Sequence, residues 1–213
     1  MMLIVYMAVA AFFATVIHEF VRAITATFLG DPTPRKYGFL TANPFKYFEP
    51  IGFLLMMMFG LGWGQPVPVT PLHFKNRHRD MLITYTMPSI ANLIIGMAMA
   101  FNLPLLVTIL NAMPFSDNIS INVLWMARFF AYANVSLAVY NLIPIYPLDG
   151  AKILQLYLSP QTIMNMNARE KMYQMLLIFL LIFPIIPSVF LPVINTLLTA
   201  AGPYGLRWMI WRI

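Results

Sequence analysis

The chain has 213 residues, 61% of them hydrophobic and only 9% charged. A soluble domain carries about 25% charged residues, so the composition excludes a soluble enzyme and points to an integral membrane protein. The absence of cysteine excludes disulfides and thiolate chemistry. The net charge of +6 (13 Lys and Arg against 7 Asp and Glu) comes without basic-aromatic interleaving, so it fits basic cytoplasmic loops beside a lipid bilayer, with no nucleic-acid partner.

A spanning helix needs about 20 mostly apolar residues. Residues 3–29 qualify, interrupted by His18, Glu19 and Arg22. The opening MMLIVYMAVAAFFAT has no basic leader and reads as a retained helix. GDPTPRK (30–36) breaks it. Residues 37–50 have no helical period, so two short strands or an extended loop are expected. The apolar IGFLLMMMFGLGW (51–63) is short for a span and suits a re-entrant segment. GQPVPVTPLHFKNRHRD (64–80) leads into a long helix over 81–111, bent near Pro88 and Pro104. The polar turn PFSDNIS (114–120) separates it from a span over 121–143 ending in LIPIYPLDG. A short amphipathic piece (150–158) and a polar stretch with Arg169, Glu170 and Lys171 follow. Residues 172–200 form one broken span or a hairpin, kinked by Pro184, Pro187 and Pro192.

The expected architecture is a single all-α polytopic membrane domain (1–213) of about four transmembrane helices. Its core covers about 3–158 and a C-terminal helical segment covers 172–213. Basic residues set its orientation. Arg35, Lys36 and Lys46 precede the 51–63 segment, and Lys75, Arg77 and Arg79 follow it. If that segment is re-entrant, both clusters face the cytoplasm, as the positive-inside bias prefers. The 112–120 turn has no Lys or Arg and faces outside, while Lys152, Arg169 and Lys171 return inside. Arg207 and Arg212 leave the far C-terminus unassigned.

An ionisable residue at mid-bilayer costs about 2.5–3.5 kcal/mol on insertion scales, so the few within spans are informative. Glu19 lies about 24 Å along a helix from residue 3, most of the way to the cytoplasmic face. Asp149 follows the end of another span and reaches the same depth, so both can share one polar cavity. A zinc hydrolase carries histidines at i and i+4 of one helix, a glutamate base between them and a third ligand from elsewhere. His18 and Glu19 stand in those places, and Asp149 would supply the carboxylate ligand. Arg22 takes the i+4 place, and a guanidinium has no lone pair for a metal.

Glu49, His73 or His78 could fill that coordination. Alternatively Arg22 replaces the metal's charge by pairing with Glu19 at i+3 or with Asp149, because a buried charge persists only when paired. Plainer roles compete: Arg22 snorkelling to the interface, Asp149 capping the next helix, His73 and His78 lying among solvent or head groups, and LLMMMF serving as core.

The chain resembles the site-2 protease family of intramembrane zinc metalloproteases through an ordered series of segments over residues 15 to 155. These are HEFVRA, GDPTPRKYGFLTANPFKYFEPIG, GWGQPVPV, PSIAN and NLIPIYPLDGAKIL. The resemblance implies a site-2 protease core with a re-entrant β-like loop and a site toward the cytoplasmic side of a bacterial plasma membrane. It implies Glu19 as general base, and His18 and Asp149 as metal ligands. Asn43, Tyr47, Glu49, Asn92 and Asn141 would line the site. Tyr47 stands in place of the family's loop histidine, Glu49 in place of its loop aspartate and Arg22 in place of its second zinc histidine. The implied activity is hydrolysis of peptide bonds in transmembrane protein or peptide substrates. Zinc is the cofactor of an active member; none is needed in the alternative, a pseudoprotease that binds or regulates membrane helices.

Overall fold

The computed structural model describes residues 2–59, 62–183 and 185–201. Pro184, Arg207 and Arg212 lie outside the described residues. Helix α1 (Met2–Phe28) has 27 residues, about 40 Å at 1.5 Å per residue and enough to cross a bilayer. It inverts the pattern of a soluble helix. Ala10, Ala11, Ala14, Ala23 and Ala26 are fully buried, whereas Leu3, Ile4, Phe13 and Ile24 are exposed. Lipid tails are as apolar as leucine, so large apolar side chains gain nothing by turning inward. Small residues instead let helix backbones approach.

After the turn at Gly30 comes a single turn, α2 (Thr33–Lys36). The β-like loop expected next is a correction: among the described residues no strand forms, and Pro44–Tyr47 is a 3-10 turn. Gly38 takes a positive φ of 72°. The Tyr47 hydroxyl donates to the carbonyls of Phe39 (2.5 Å) and Thr41 (3.2 Å), tying the loop to itself. Gly, Pro and this side-chain bonding satisfy the backbone locally and leave no ladder to build. α3 (Pro50–Phe59) has 10 residues, about 15 Å, too short to cross.

α4 (Arg77–Ala112) is the longest helix, at 36 residues. It starts before the expected position 81 because the Asn76 side chain accepts from the Arg79 N–H at 3.1 Å, capping it. α5 (Asp117–Tyr140) returns antiparallel after a short turn. α4 and α5 pack closely, and α1 lies against both. A Cβ on Gly96 of α4 would lie 2.9 Å from the Ala131 carbonyl oxygen of α5, so that crossing requires glycine.

α6 (Asp149–Gln155) follows, then α7 (Pro160–Ala168), a polar helix the periodicity did not suggest. α8 (Glu170–Ile182) and α9 (Ile185–Ala200) form one apolar pair bent by 69°, and α9 packs on α5. The described residues thus hold three helices long and apolar enough to cross a membrane, or four with the bent pair as one span. The protein is an all-helical integral membrane protein.

Candidate functional site

Glu19 and Arg22 are one turn apart on α1, beside His18, and the side chains are buried to 2–3% exposure. Asp149, the first residue of α6, meets them from the other side of the molecule with 3% exposure. Its helix is positioned by the Gly150 N–H, which donates to the Asn141 carbonyl at 2.6 Å. A Cβ on Gly150 would strike the carbonyls of Leu142 and Ile143, so the PLDG glycine permits the tight entry. The N-cap of α6 is Leu148; the Asp149 carboxylate turns into the cluster instead of capping its own helix.

The guanidinium of Arg22 bridges both acids. Its Nη2 donates to Asp149 Oδ1 at 2.5 Å and its Nη1 to Glu19 Oε2 at 2.5 Å. Both pairings considered from the sequence therefore form, and snorkelling does not occur. His18 Nε2 lies 3.0 Å from Asp149 Oδ2. The Val67 N–H donates to Glu19 Oε2 at 3.2 Å, so the PVPV segment runs alongside the base candidate. The Tyr85 ring centroid lies 5.7 Å from the guanidinium carbon, close enough for a cation–π contact.

The remaining sequence candidates separate. Asn92 is fully buried and donates from Nδ2 to the Ala14 carbonyl and to Asn134 Oδ1, each at 3.0 Å. It fastens α1 to α4 and α5 one turn before His18. Asn141 donates to the Leu137 carbonyl of its own helix at 3.0 Å and helps to end α5. Tyr47 is buried, but its hydroxyl serves the 39–41 backbone. Asn43 is exposed and accepts from the Phe45 N–H. The Glu49 carboxylate accepts from the N–H groups of Ile51 and Gly52, capping α3. Asn43 and Glu49 thus serve local turns, not the acidic cluster. His73 Nδ1 sits 2.8 Å from Asp31 Oδ1, and the His78 ring packs edge-on to Tyr157. Neither histidine joins His18.

The match to the description "Peptidase family M50" runs over residues 2–183. The chain belongs to peptidase family M50. It is similar to "Putative zinc metalloprotease YwhC" of Bacillus subtilis, with 29% identity over 89% of this chain and 86% of the relative. It is also similar to "Putative zinc metalloprotease Rip2" of Mycobacterium tuberculosis, with 30% identity over 92% of this chain and 77% of the relative. The Rip2 of Mycolicibacterium smegmatis is 25% identical over the same shares. No solved structure matches the chain.

Within this M50 chain the donor set does not fit a resident zinc. Among the described residues no group of three His, Cys, Asp or Glu side chains could hold a metal ion. His18 Nε2 is turned to an Asp149 carboxylate oxygen at 3.0 Å, so that nitrogen is engaged with Asp149. Arg22 pairs with both carboxylates. A guanidinium bonded to both acids opposes a cation beside them by like charge.

Proposed function

We propose that this site-2 protease-like member of family M50 is an intramembrane endopeptidase whose site receives an unwound transmembrane segment. In this reading Glu19 takes a proton from the attacking water. Arg22 supplies the positive charge that the relatives' names assign to zinc. The substrate backbone would lie beside the non-helical residues 62–70, where Gln65 and Pro66 are exposed, by strand addition. Water would add to the scissile carbonyl carbon, and the Arg22 donors would stabilise the oxyanion. The proton held by Glu19 would pass to the departing amine as the C–N bond breaks. The bridging guanidinium, 2.5 Å from each acid, carries this proposal. Bacterial relatives and the basic loops support a site open to the cytoplasmic side of a bacterial plasma membrane.

The alternative reading is a pseudoprotease that binds or regulates membrane helices, in which Glu19 stays engaged with Arg22 and takes no proton. Proteoliposomes with a transmembrane reporter substrate, in chelator, separate the two. The first reading expects cleavage that Glu19→Gln abolishes and Arg22→Ala lowers by about 10²–10³-fold, the usual loss of an oxyanion donor. Capture of the reporter without any cleavage establishes the second. Elemental analysis showing one zinc per wild-type chain would sink the replacement of zinc by Arg22. The Arg22→His variant is expected to gain zinc.

A further inference from the structure

We propose that the cavity between the start of α4, α6 and α7 binds a phosphate-bearing ligand. The residues lining this cavity of about 660 Å³ include Arg77, His78 and Lys152. No Asp or Glu lines it. The acids nearest in sequence are spent elsewhere: Asp80 on Arg79 Nε at 2.8 Å and the Asn76 N–H at 3.0 Å, and Asp149 on Arg22 and His18. Neither Arg77 nor Lys152 forms an ion pair among the described residues. Lys152 Nζ instead stands 4.7 Å over the Tyr146 ring and 3.3 Å from its hydroxyl. Asn167 Oδ1 accepts from Gln155 Nε2 at 2.9 Å, which leaves the Asn167 amide N–H groups as neutral donors in the same lining.

Phosphate fits these observations better than a carboxylate or a cation. It gathers several cationic donors at once, through forked hydrogen bonds from arginine and a point charge from lysine. The lining also includes apolar Leu156, Ile163 and Met164, so the cavity accepts a phosphate attached to an apolar body. A phospholipid head group and a soluble phosphate compound share this chemistry. The cavity also reaches Tyr85, whose ring stands against Arg22. An occupied cavity would thus lie one side chain from the Glu19–Arg22–Asp149 cluster. This inference does not depend on whether that cluster hydrolyses anything.

The test uses the full chain in neutral detergent and the Arg77→Gln/Lys152→Gln double variant. Lys36→Gln, at an exposed basic residue outside the cavity, is the control. One arm titrates inorganic pyrophosphate by calorimetry; the other measures capture by phosphatidylcholine nanodiscs with and without phosphatidylglycerol. The double variant is expected to bind about 25-fold more weakly, about fivefold per cation, while unfolding at the wild-type temperature, and Lys36→Gln is expected to bind as wild type. Loss in the pyrophosphate arm identifies a soluble phosphate, and loss confined to phosphatidylglycerol identifies a lipid. No saturable binding in either arm, or equal losses in the double variant and Lys36→Gln, would overturn the proposal.

Discussion

Arg22→Ala is the sharpest perturbation of this site. It removes the cation that Glu19 and Asp149 share and leaves two carboxylates, each about 3% exposed, facing a histidine. Removing one partner of a buried pair costs about 3–5 kcal/mol, because the orphaned charge has lost water and gained nothing. Here one side chain serves two acids, so the upper half of that range is expected at neutral pH. The cost should vanish when the acids go too. Arg22→Met with Glu19→Gln and Asp149→Asn replaces charges by neutral groups of similar size, and such exchanges are often neutral or stabilising. Unfolding in mixed detergent micelles with chelator, compared across the single and triple variants, measures both quantities. An Arg22→Ala variant within about 1 kcal/mol of wild type, or a triple variant no better than the single, would refute the idea that charge pairing holds α6 to α1.

Asp31 is fully buried and joins the loop after α1 to residues 70–73. Burial alone would raise its pKa, but hydrogen bonds from Thr33, Thr70 and His73 outweigh it and hold the carboxyl below its ordinary value. A depressed folded value means stability that is present above the ordinary carboxylate range and lost as pH falls through the folded value. Asp31→Asn should therefore flatten the acid limb of the unfolding profile, and an unchanged limb would exclude Asp31 as its source. Asn92→Ala cuts the links to Ala14 and Asn134. Interhelical hydrogen bonds in membranes average about 0.6 kcal/mol and reach about 1.7. A loss in that interval is expected in the same micelle assay, and a stabilised variant would contradict the fastening role.

Long apolar runs announced α1, α4 and α5, since nothing else in a sequence buries so much greasy surface. The pairing of Arg22 was also legible, because an arginine one turn past a buried glutamate must find a carboxylate. Residues 37–50 were less so. The resemblance implies Asn43 and Glu49 as site-lining residues, yet each satisfies backbone two or three residues away. Short polar side chains beside prolines do this readily. Asn134 went unremarked although an asparagine within the apolar AYANVS signals a partner across helices. Tyr85 had no such signal, since one aromatic in an apolar helix resembles any other. Val67 contributes only its N–H, a group every residue but proline carries. No sequence pattern marks which one will face Glu19.

Two atoms of the cluster give the site a direction. His18 Nδ1 and Arg22 Nε are buried without a hydrogen-bond partner among the described residues. In the neutral tautomer that donates from Nε2 to Asp149, the first is an acceptor; the second is a donor. A peptide group carries one donor and one acceptor of its own and complements both, which a lone carbonyl or a hydrocarbon helix face cannot do. If a substrate backbone fills these positions, His18→Leu in a Glu19→Gln background should weaken capture of a transmembrane reporter. The loss of one neutral hydrogen bond, about 1 kcal/mol, corresponds to about fivefold. Capture unchanged by His18→Leu would mean that substrate is held by helix-face contacts alone. The polar cluster would then be a structural tie between α1 and α6 with no part in recognition.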